Sequence, residues 1–477
     1  MLTWKEENNP TILTRKSFSM RYARSLFCCC LIAGLAACSK KDDAPAVPTG
    51  PVTQQEINNW ILDSMRLFYL WNDQLPAQAN NTQETTAFFN SIKSGEDKFS
   101  IIYNPGDPAT IKSDMLYKYG VDFSIISWPA APGGVIGVVK LVVPGSYAAA
   151  DGLKRGAYFT RINETVLTSG NSVPLSEQLR TGSGGTITPA VVNGNVITEG
   201  ALVSLRPGKI TENPVYQSIV INSGAKKVGY LFYNAFVDGY NNYLLAAFQD
   251  FKNKGVSELI VDLRYNVGGS LAAAAMITAM IAPNLTEKST FVKYSGNSRM
   301  GVHTLDFAAA LAVPETGDPV SFNSLSAGRL HLPRVFVLSG RQTVSAAELL
   351  INNLKPYTQV IQIGQTTVGK DKGAVIVYDM RTPQRIPWII HPLTYRLANA
   401  SGEGNYTAGI TPQYTIDEMN RQPLLALGNA ADPLIAKALS VIDGNGRAIP
   451  ENAVFTRSHI YDAREKAVVN SVLVFPK

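Results

Sequence analysis

Three short loops carry the groups in this chain that are best placed to do chemistry. Each follows an apolar run that predicts a buried strand, and functional loops lie at strand ends in largely parallel α/β layers. The loops read RYNVGG at 264–269, SGRQTVSAAE at 339–348 and GQTTVGK at 364–370. A hydroxyl, glycine backbone N–H groups and an amine are therefore candidates for one shared site.

Ser345 is the candidate nucleophile. It would begin a helix, where free backbone N–H groups and the helix dipole favour developing negative charge, so its hydroxyl could attack a carbonyl carbon. The N–H of Ala346 and one from Gly268 or Gly269 could hold the resulting oxyanion. A plainer interpretation stays open, because Ser345-x-x-Glu348 also spells a capping box at a helix start.

Lys370 is the candidate base, since a serine hydroxyl is a poor nucleophile near neutral pH without one. A lysine can take this role only if burial lowers its pKa from about 10.4 by several units. A serine-histidine-acid hydrolase is the competing class. No GxSxG motif supports it, and the histidines lie outside the three loops, at His303, His331, His391 and His459.

Strands and helices alternate from residue 227 onward, and these elements position the three loops. The alternation predicts a largely parallel α/β layer within a catalytic domain at 211–420. Predicted strands lie at 228–233, 259–263, 335–338 and 360–363, and predicted helices at 243–251, 271–281 and 345–354. Upstream, an amphipathic pattern at 55–77 and a second one at 86–93 predict a small helical domain at 55–114, with the aromatic residues as its core.

Residues 115–210 change character to short β-rich runs, at 135–143, 158–162 and 201–205. The YGVDF segment at 119–123, followed by GSYAAADGLKRGAYFTRINETVLT from Gly145, resembles a PDZ domain. The resemblance implies peptide binding at Gly120, Val121, Asp122 and Phe123, where backbone N–H groups take a C-terminal carboxylate and the peptide adds a strand. Asp122 stands where an apolar residue is usual, and a purely structural β domain is the alternative.

The pattern of the N-terminal residues predicts that the protein is exported. Residues 20–37 combine arginines, a short apolar run and small residues, as in a secretory signal, and the run is too short to span a bilayer. LAAC at 35–38 resembles a bacterial lipobox, which implies a signal peptide at 1–37, lipidation at Cys38 and a linker at 38–54. The SKKDD segment at 39–43 resembles the patch that sends some Bacteroidetes lipoproteins to the cell surface. An ordinary signal peptide is the alternative.

Composition narrows the remaining function classes. The formal charge of +6 includes +3 from residues 1–37, so the rest carries only +3, too little to argue for nucleic acid. All four cysteines lie at or before Cys38, which excludes thiolate chemistry from the main domains. No histidine spacing suggests zinc, so we expect neither metal nor cofactor.

The order of VDLRYNVGG, SGRQTVSAAE and GQTTVGK resembles the C-terminal processing (tail-specific) peptidase family, as does the 25-residue step from Ser345 to Lys370. The resemblance spans roughly 53–415, including GITP at 409–412, with Gln413 where Asp is usual. It implies a multidomain α/β plus β fold with Ser345 as nucleophile, Lys370 as general base and Glu348 as an orienting partner.

The implied activity is serine endopeptidase cleavage of unfolded or tail-exposed polypeptides through an acyl-enzyme. The implied localisation is an outer-membrane lipoprotein that faces the periplasm or the cell surface. A non-catalytic lipoprotein scaffold that binds peptide tails is the alternative. Residues 421–477 form a C-terminal extension with a strand-like run at 471–475 and no predicted role.

Overall fold

The computed structural model describes residues 50–208, 210–444 and 457–464. The predicted signal peptide, Cys38 and the strand-like run at 471–475 lie outside these residues. The chain divides into Met1–Pro51 and Val52–Lys477, and all the elements below belong to the second unit. Within the described ranges, no helix combines the length and the apolar character that a membrane crossing requires.

Ten helices are described. They are α1 Gln54–Phe68, α2 Thr85–Ile92, α3 Met115–Tyr119, α4 Tyr147–Ala150, α5 Ser172–Thr181, α6 Asn241–Asn253, α7 Leu271–Ile281, α8 Phe307–Leu311, α9 Ala346–Leu354 and α10 Pro433–Ile442. Short 3-10 helices lie at Asn72–Gln74, Pro108–Thr110, Asp238–Tyr240, Phe322–Gly328 and Glu418–Asn420.

The described strands run from one end of the second unit to the other. The first eleven are β1 Ile101–Tyr103, β2 Val121–Ser127, β3 Val135–Val142, β4 Tyr158–Ile162, β5 Thr165–Val166, β6 Gly185–Asn193, β7 Val196–Glu199, β8 Val203–Leu205, β9 Val215–Ser223, β10 Lys226–Tyr233 and β11 Glu258–Asp262. The remainder are β12 Thr290–Ser295, β13 Val302–Asp306, β14 Arg334–Ser339, β15 Gln359–Gly364, β16 Lys372–Ala374, β17 Val377–Tyr378, β18 Ile389–His391, β19 Leu393–Ala398, β20 Tyr414–Thr415 and β21 His459–Asp462.

A six-stranded sheet forms the α/β layer, in the order β20-β15-β14-β11-β10-β9. The pairs from β20 to β10 are parallel, and β9 joins the edge in antiparallel fashion. The predicted parallel layer is therefore confirmed. Its central strands are buried on both faces, which explains why they read as continuous apolar runs rather than alternating ones.

The α/β layer extends beyond residue 420. Helix α10 begins with Pro433 after the Asp432 cap, and it packs its apolar face against the central sheet with Leu434 and Ile435 in the same core cluster as β11 and β14. Helix α10, which lies beyond the predicted boundary at 420, therefore packs on the layer that carries the three loops.

The N-terminal helices do not have a separate core. α1 starts at the Thr53 cap and ends at Phe68, which agrees with a predicted helix that ends before Pro76. Its buried residues Ile61 and Met65 belong to one cluster with α7 and α9. The aromatic side chains near α1 thus bury area against the α/β layer, and the helical segment packs on it.

The β-rich region forms a sheet in the order β21-β2-β3-β4-β6-β7, with β5 beside β4 and β8 beside β6. Its core includes Phe123, Phe159 and Leu179. The edge strand β21 comes from the C-terminal segment of the chain, more than 300 residues beyond β2. Two smaller sheets, β13-β12-β19-β16 and β1-β18-β17, complete the structure.

Candidate active site

The Ser345 loop links β14 to α9 through a turn of unusual backbone geometry. Ser345 has φ of 62° and ψ of −117°, which a residue with a side chain adopts only at a cost of about 1–3 kcal/mol. Neighbouring bonds hold the turn: the Val344 N–H donates to the Asn266 carbonyl over 3.1 Å, and the Thr343 hydroxyl donates to the Leu263 carbonyl over 2.7 Å. A strained strand-to-helix turn of this kind projects a nucleophile away from the backbone.

The Ser345 hydroxyl is buried and has no hydrogen-bond partner among the described residues. The capping-box arrangement is present, because Glu348 accepts a 3.0 Å hydrogen bond from the Ser345 N–H and the Ser345 side chain lies toward the Glu348 N–H. The hydroxyl nevertheless makes no hydrogen bond of good geometry there. The hydroxyl itself is thus left for another task. A buried hydroxyl without a partner is costly in a purely structural role.

Lys370 lies at the end of the loop that follows β15, and its side chain is also buried. Its exposed fraction is 1%. Burial lowers the pKa of the Lys370 ammonium from 10.5 to about 7. The Nζ atom has no hydrogen-bond partner among the described residues and lies 5.5 Å from the centre of the Phe99 ring. The desolvation that the sequence interpretation required is therefore present.

Glu348 joins the two loops through its carboxylate. Besides the Ser345 N–H, it accepts hydrogen bonds from the Thr367 hydroxyl at 2.5 Å, the Gly369 N–H at 2.6 Å and the Lys370 N–H at 2.8 Å. Burial raises the pKa of Glu348 to about 7, although these hydrogen bonds favour the ionised form. Glu348 thus bonds to the backbone of both candidate catalytic residues, which makes it a candidate positioning residue.

The GITP motif at 409–412 braces the same loop from the other side. The Thr367 hydroxyl accepts a 2.7 Å bond from the Ile410 N–H. Gly369 and Gly409 lie back to back: a Cβ on Gly369 would come within 2.3 Å of the Thr407 carbonyl oxygen, and one on Gly409 within 2.1 Å of the Thr367 carbonyl oxygen. Only glycines let these two backbones approach closely enough to fix the start of the Lys370 side chain.

The glycine loop supplies the candidate oxyanion donors. In this structure the Gly268 N–H donates to Asn266 Oδ1 over 2.7 Å, while the N–H of Gly269 and that of Ala346 stay candidates for the oxyanion. A Cβ on Gly269 would meet the Phe236 carbonyl oxygen at 2.1 Å, so this position requires glycine. A cavity of about 250 Å³ borders Gly268 and Gly269.

Two residues near the candidate site, Asp97 and Phe99, were not identified from the sequence. Asp97 folds the segment that places the Phe99 ring against Lys370, since its carboxylate accepts bonds from the Phe99 N–H at 3.0 Å and the Ser100 N–H at 2.8 Å. The Tyr69 hydroxyl donates to the same carboxylate over 2.8 Å. Nothing in the local sequence of this segment sets it apart. An aromatic residue near Lys370 becomes visible only once the tertiary contacts are known.

The four residues predicted to bind peptide lie at the junction of α3 and β2, with Gly120 capping α3 and the other three opening β2. The Gly120 N–H donates to the Leu116 carbonyl over 2.9 Å, and the Phe123 carbonyl accepts a 3.0 Å bond from the Ala463 N–H. Val121 pairs with Val142 of β3. Asp122 is fully buried and forms a 3.1 Å ion pair with Lys140. The polar residue at this apolar position thus has a local partner.

A second buried charge cluster lies beneath the glycine loop. The Arg264 guanidinium forms ion pairs with Asp262 at 2.8 Å, Glu418 at 2.8 Å and Asp432 at 3.0 Å. Arg155 adds a 2.8 Å pair to Glu418. Although burial opposes ionisation, the two arginines lower the pKa of Glu418 to about 2. Every charged group of this cluster has a partner of opposite sign.

Comparisons with known proteins agree with this geometry. The model of peptidase family S41 matches residues 227–416, and the model of the peptidase S41 N-terminal domain matches residues 56–101. A solved structure assigned to the S41 proteases, from Bacteroides fragilis, is 27% identical and covers 81% of this chain and 97% of its own, with a TM-score of 0.66.

Two curated sequences are also similar. The chain is 25% identical over 302 residues to carboxyl-terminal-processing peptidase 2, chloroplastic, of Arabidopsis thaliana, which covers 61% of this chain and 54% of the relative. It is 25% identical over 232 residues to the carboxyl-terminal-processing protease of Picosynechococcus sp., covering 49% and 50%. The chain thus spans about half the length of the curated relatives it matches. Both family models match in order, and the first encloses all three loops, so the chain belongs to peptidase family S41.

Proposed function

We propose that this chain is a serine endopeptidase in which Lys370 is the general base for Ser345. One observation carries the proposal: a hydroxyl and an amine, both buried and both without hydrogen-bond partners among the described residues, lie on two loops that share one carboxylate. Burial of unpartnered polar groups lowers stability, so a site built this way is a candidate for catalysis.

The proposed chemistry begins with proton transfer from the Ser345 hydroxyl to neutral Lys370 as Oγ attacks the peptide carbonyl carbon. The carbonyl oxygen becomes an oxyanion, and the N–H groups of Gly269 and Ala346 are its proposed donors. When the C–N bond breaks, the Lys370 ammonium returns its proton to the leaving amine. Water then attacks the acyl-enzyme by the same route and regenerates the serine hydroxyl.

This mechanism sets the direction of the pH dependence. Lys370 can accept a proton only when it is neutral, and burial lowers its pKa to about 7. Activity should therefore be low in acid and rise as the pH passes through about 7. An unperturbed lysine would delay this rise until about pH 10.4.

The test compares the wild-type chain with Ser345→Ala on an unfolded, casein-like substrate, with product termini identified by mass spectrometry. Ser345→Ala should lose cleavage and keep a cooperative thermal unfolding transition. Ser401→Ala is the matched control, since Ser401 is exposed and should keep full activity. Equal cleavage by Ser345→Ala and the wild type would contradict the proposal.

We further propose that residues 115–210 act as a PDZ-like domain that holds the polypeptide substrate for the catalytic layer. The order of strands β2 to β4 around helices α3 and α4, and the packing of α5 against β4 and β21, support this role. The natural substrates we propose are unfolded or tail-exposed polypeptides.

Lipidation at Cys38 and export to the outer membrane complete the proposal. Their support is the LAAC segment at 35–38, which lies outside the described residues. Metabolic labelling with a radioactive fatty acid should mark the wild-type chain and not Cys38→Ala. Equal labelling of both chains would contradict the anchor.

A further inference from the structure

The C-terminal segment 457–464 lies in a groove of the β domain as an added strand. β21 pairs in antiparallel fashion with β2, with Asp462 opposite Ser124 and Tyr461 opposite Ile125. The Ser127 N–H extends the ladder at one end with a 2.9 Å bond to the Ser458 carbonyl. Helix α5 borders the other side of the strand. A strand held between a sheet edge and a helix has the geometry of peptide recognition by β-augmentation.

Alternate side chains of the segment enter the core of the β domain. The Tyr461 ring is buried 6.0 Å from the Phe123 ring, and its hydroxyl donates to Glu177 of α5 over 2.9 Å. Ala463 is fully buried in the same cluster. At the entrance to the groove, the Arg457 guanidinium stacks 3.6 Å from the Trp128 ring centre. These side-chain sites would give the groove its sequence preference.

Asp462, which lies between Tyr461 and Ala463, connects the groove to the α/β layer. Asp462 accepts a 2.7 Å bond from Lys140 and a 3.0 Å bond from the Ser124 hydroxyl. Its other oxygen accepts a hydrogen bond from the Gln342 side chain, three residues before Ser345. The segment therefore contacts the loop of the candidate nucleophile while it lies in the groove.

The end of the groove does not suit a free chain terminus. The Gly120 N–H, which a terminal carboxylate would need, is bonded to the Leu116 carbonyl. The Lys140 ammonium is already shared by Asp122 and Asp462, so it offers no free positive charge to a terminal carboxylate. Arg464 lies at this end instead, with a 3.1 Å ion pair to Asp114 and a 3.3 Å bond to the Tyr265 carbonyl of the glycine loop.

We propose that residues 457–464 are an internal peptide ligand of the β2–α5 groove, and that the groove recognises an extended internal segment with an aromatic residue followed by an acidic one. A polypeptide with this pattern would exchange with the internal strand. The inference rests on the proposed peptide-binding role of the β domain and deepens it, because it names the class of segment that binds. Exchange would also alter the Gln342 contact beside Ser345.

The test measures binding of a labelled peptide with the sequence of residues 457–464, RSHIYDAR, acetylated and amidated at its ends. The protein is the full chain with Ser345→Ala, so that nothing is cleaved and the result is independent of peptidase activity. Adding Tyr461→Ala weakens the internal strand. The peptide should then bind at least about tenfold more tightly than it does to Ser345→Ala alone, because the groove is more often vacant.

Three controls sharpen the result. Tyr243→Ala, which removes an exposed tyrosine of α6, should leave peptide binding unchanged. A peptide with alanine in place of its tyrosine should bind at least about tenfold more weakly, since the same pocket is left empty. A shorter peptide that ends in a free carboxylate after the alanine should bind no more tightly than the amidated one.

Two results would overturn the inference. One is a Tyr461→Ala chain that unfolds cooperatively yet does not gain peptide affinity, which would make β21 a permanent strand. The other is tighter binding of the free-acid peptide, which would restore terminus recognition. If Tyr461→Ala does not fold, Tyr461→Phe removes only the bond to Glu177, and the same gain in affinity, smaller in size, is required of it.

Discussion

Two buried groups of charged side chains lie in the loops after β11 and β15, and they are built in opposite ways. Around Arg264, three carboxylates surround one guanidinium, all within 3.0 Å of it. The Lys370 amine, in contrast, has no hydrogen-bond partner among the described residues. The Glu348 carboxylate bonds to the backbone N–H of Lys370 and not to its amine. The first cluster holds the glycine loop in place, whereas the second keeps an amine poorly solvated.

The two groups differ in whether the buried cation can lose its proton, and this decides whether it can serve structure or catalysis. A guanidinium with three acidic partners stays charged at any physiological pH, so it can fix geometry and cannot accept a proton. A lysine without partners loses its proton near neutrality because burial disfavours the ammonium form. Arg264, which is permanently charged, and Lys370, which titrates, thus both lie in loops that follow strands of the same parallel sheet.

Replacement of the amine gives the largest expected effect. Lys370→Met should lower kcat/KM by about 10²–10⁴-fold, since the general base is lost. It should also stabilise the fold at pH 6, by about 2–5 kcal/mol, because at least 3 pKa units of desolvation cost disappear. Cleavage assays and chemical denaturation measure the two effects.

The sign of the stability effect depends on pH. The folded pKa of Lys370 is about 7, below its ordinary value of 10.5, so the unfolded wild-type chain binds more protons between these pH values. Wild-type stability should therefore rise across this window, and Lys370→Met should lack the rise. Lys372→Met is the contrasting variant, because Lys372 forms a 2.6 Å pair with Asp371 and its loss should destabilise the fold. Destabilisation by Lys370→Met at pH 6 would remove the distinction between the two clusters.

The paired cluster should respond in the opposite direction. Arg264→Met leaves three buried carboxylates without their central partner, and we expect the free energy of unfolding to fall by about 3–5 kcal/mol. Urea denaturation followed by circular dichroism measures the change. Arg206→Met, which breaks a surface pair with Asp151, should change it by less than about 1 kcal/mol. If Arg264→Met lowered the free energy of unfolding no more than Arg206→Met does, the buried ion pairs would not have the structural role assigned to them.

The smallest expected effect tests the link between the clusters and catalysis. Glu348→Gln keeps the shape of the side chain and removes a negative charge near Lys370. The charge of Glu348 favours the ammonium form, so its loss should move the rising limb of the pH profile to lower pH by less than about 1 unit. We expect kcat/KM to fall about tenfold, because an amide cannot accept from all four donors. An unmoved limb in a pH profile of kcat/KM would contradict this coupling.

The sequence predicted the catalytic layer well because local pattern and tertiary environment agree there. Helix α7 was predicted at 271–281 and is observed as Leu271–Ile281, since an apolar segment buried on all sides has little choice of partner. The three loops meet because parallel strands end at one edge. The bond from the Ser345 N–H to Glu348 follows from the capping-box pattern, whereas the bonds from the Gly369 and Lys370 N–H groups come from a distant loop that no local pattern identifies.

The parts that escaped prediction depend on contacts distant in sequence. β21 pairs with a strand more than 300 residues earlier, and nothing in HIYD identifies that partner. The aromatic residues near α1 show the same limit, because they lie in one buried cluster with α7 and α9 rather than packing against one another alone. Periodicity indicates that a face is buried without saying what covers it.

The backbone of the candidate nucleophile has one further consequence. At φ of 62°, residue 345 occupies a conformation in which glycine is comfortable and serine is not. A screen of random substitutions for thermal stability alone would therefore favour Ser345→Gly, which would be more stable and would lack the nucleophile. The serine hydroxyl is therefore held at this position against the conformational preference of the backbone that carries it.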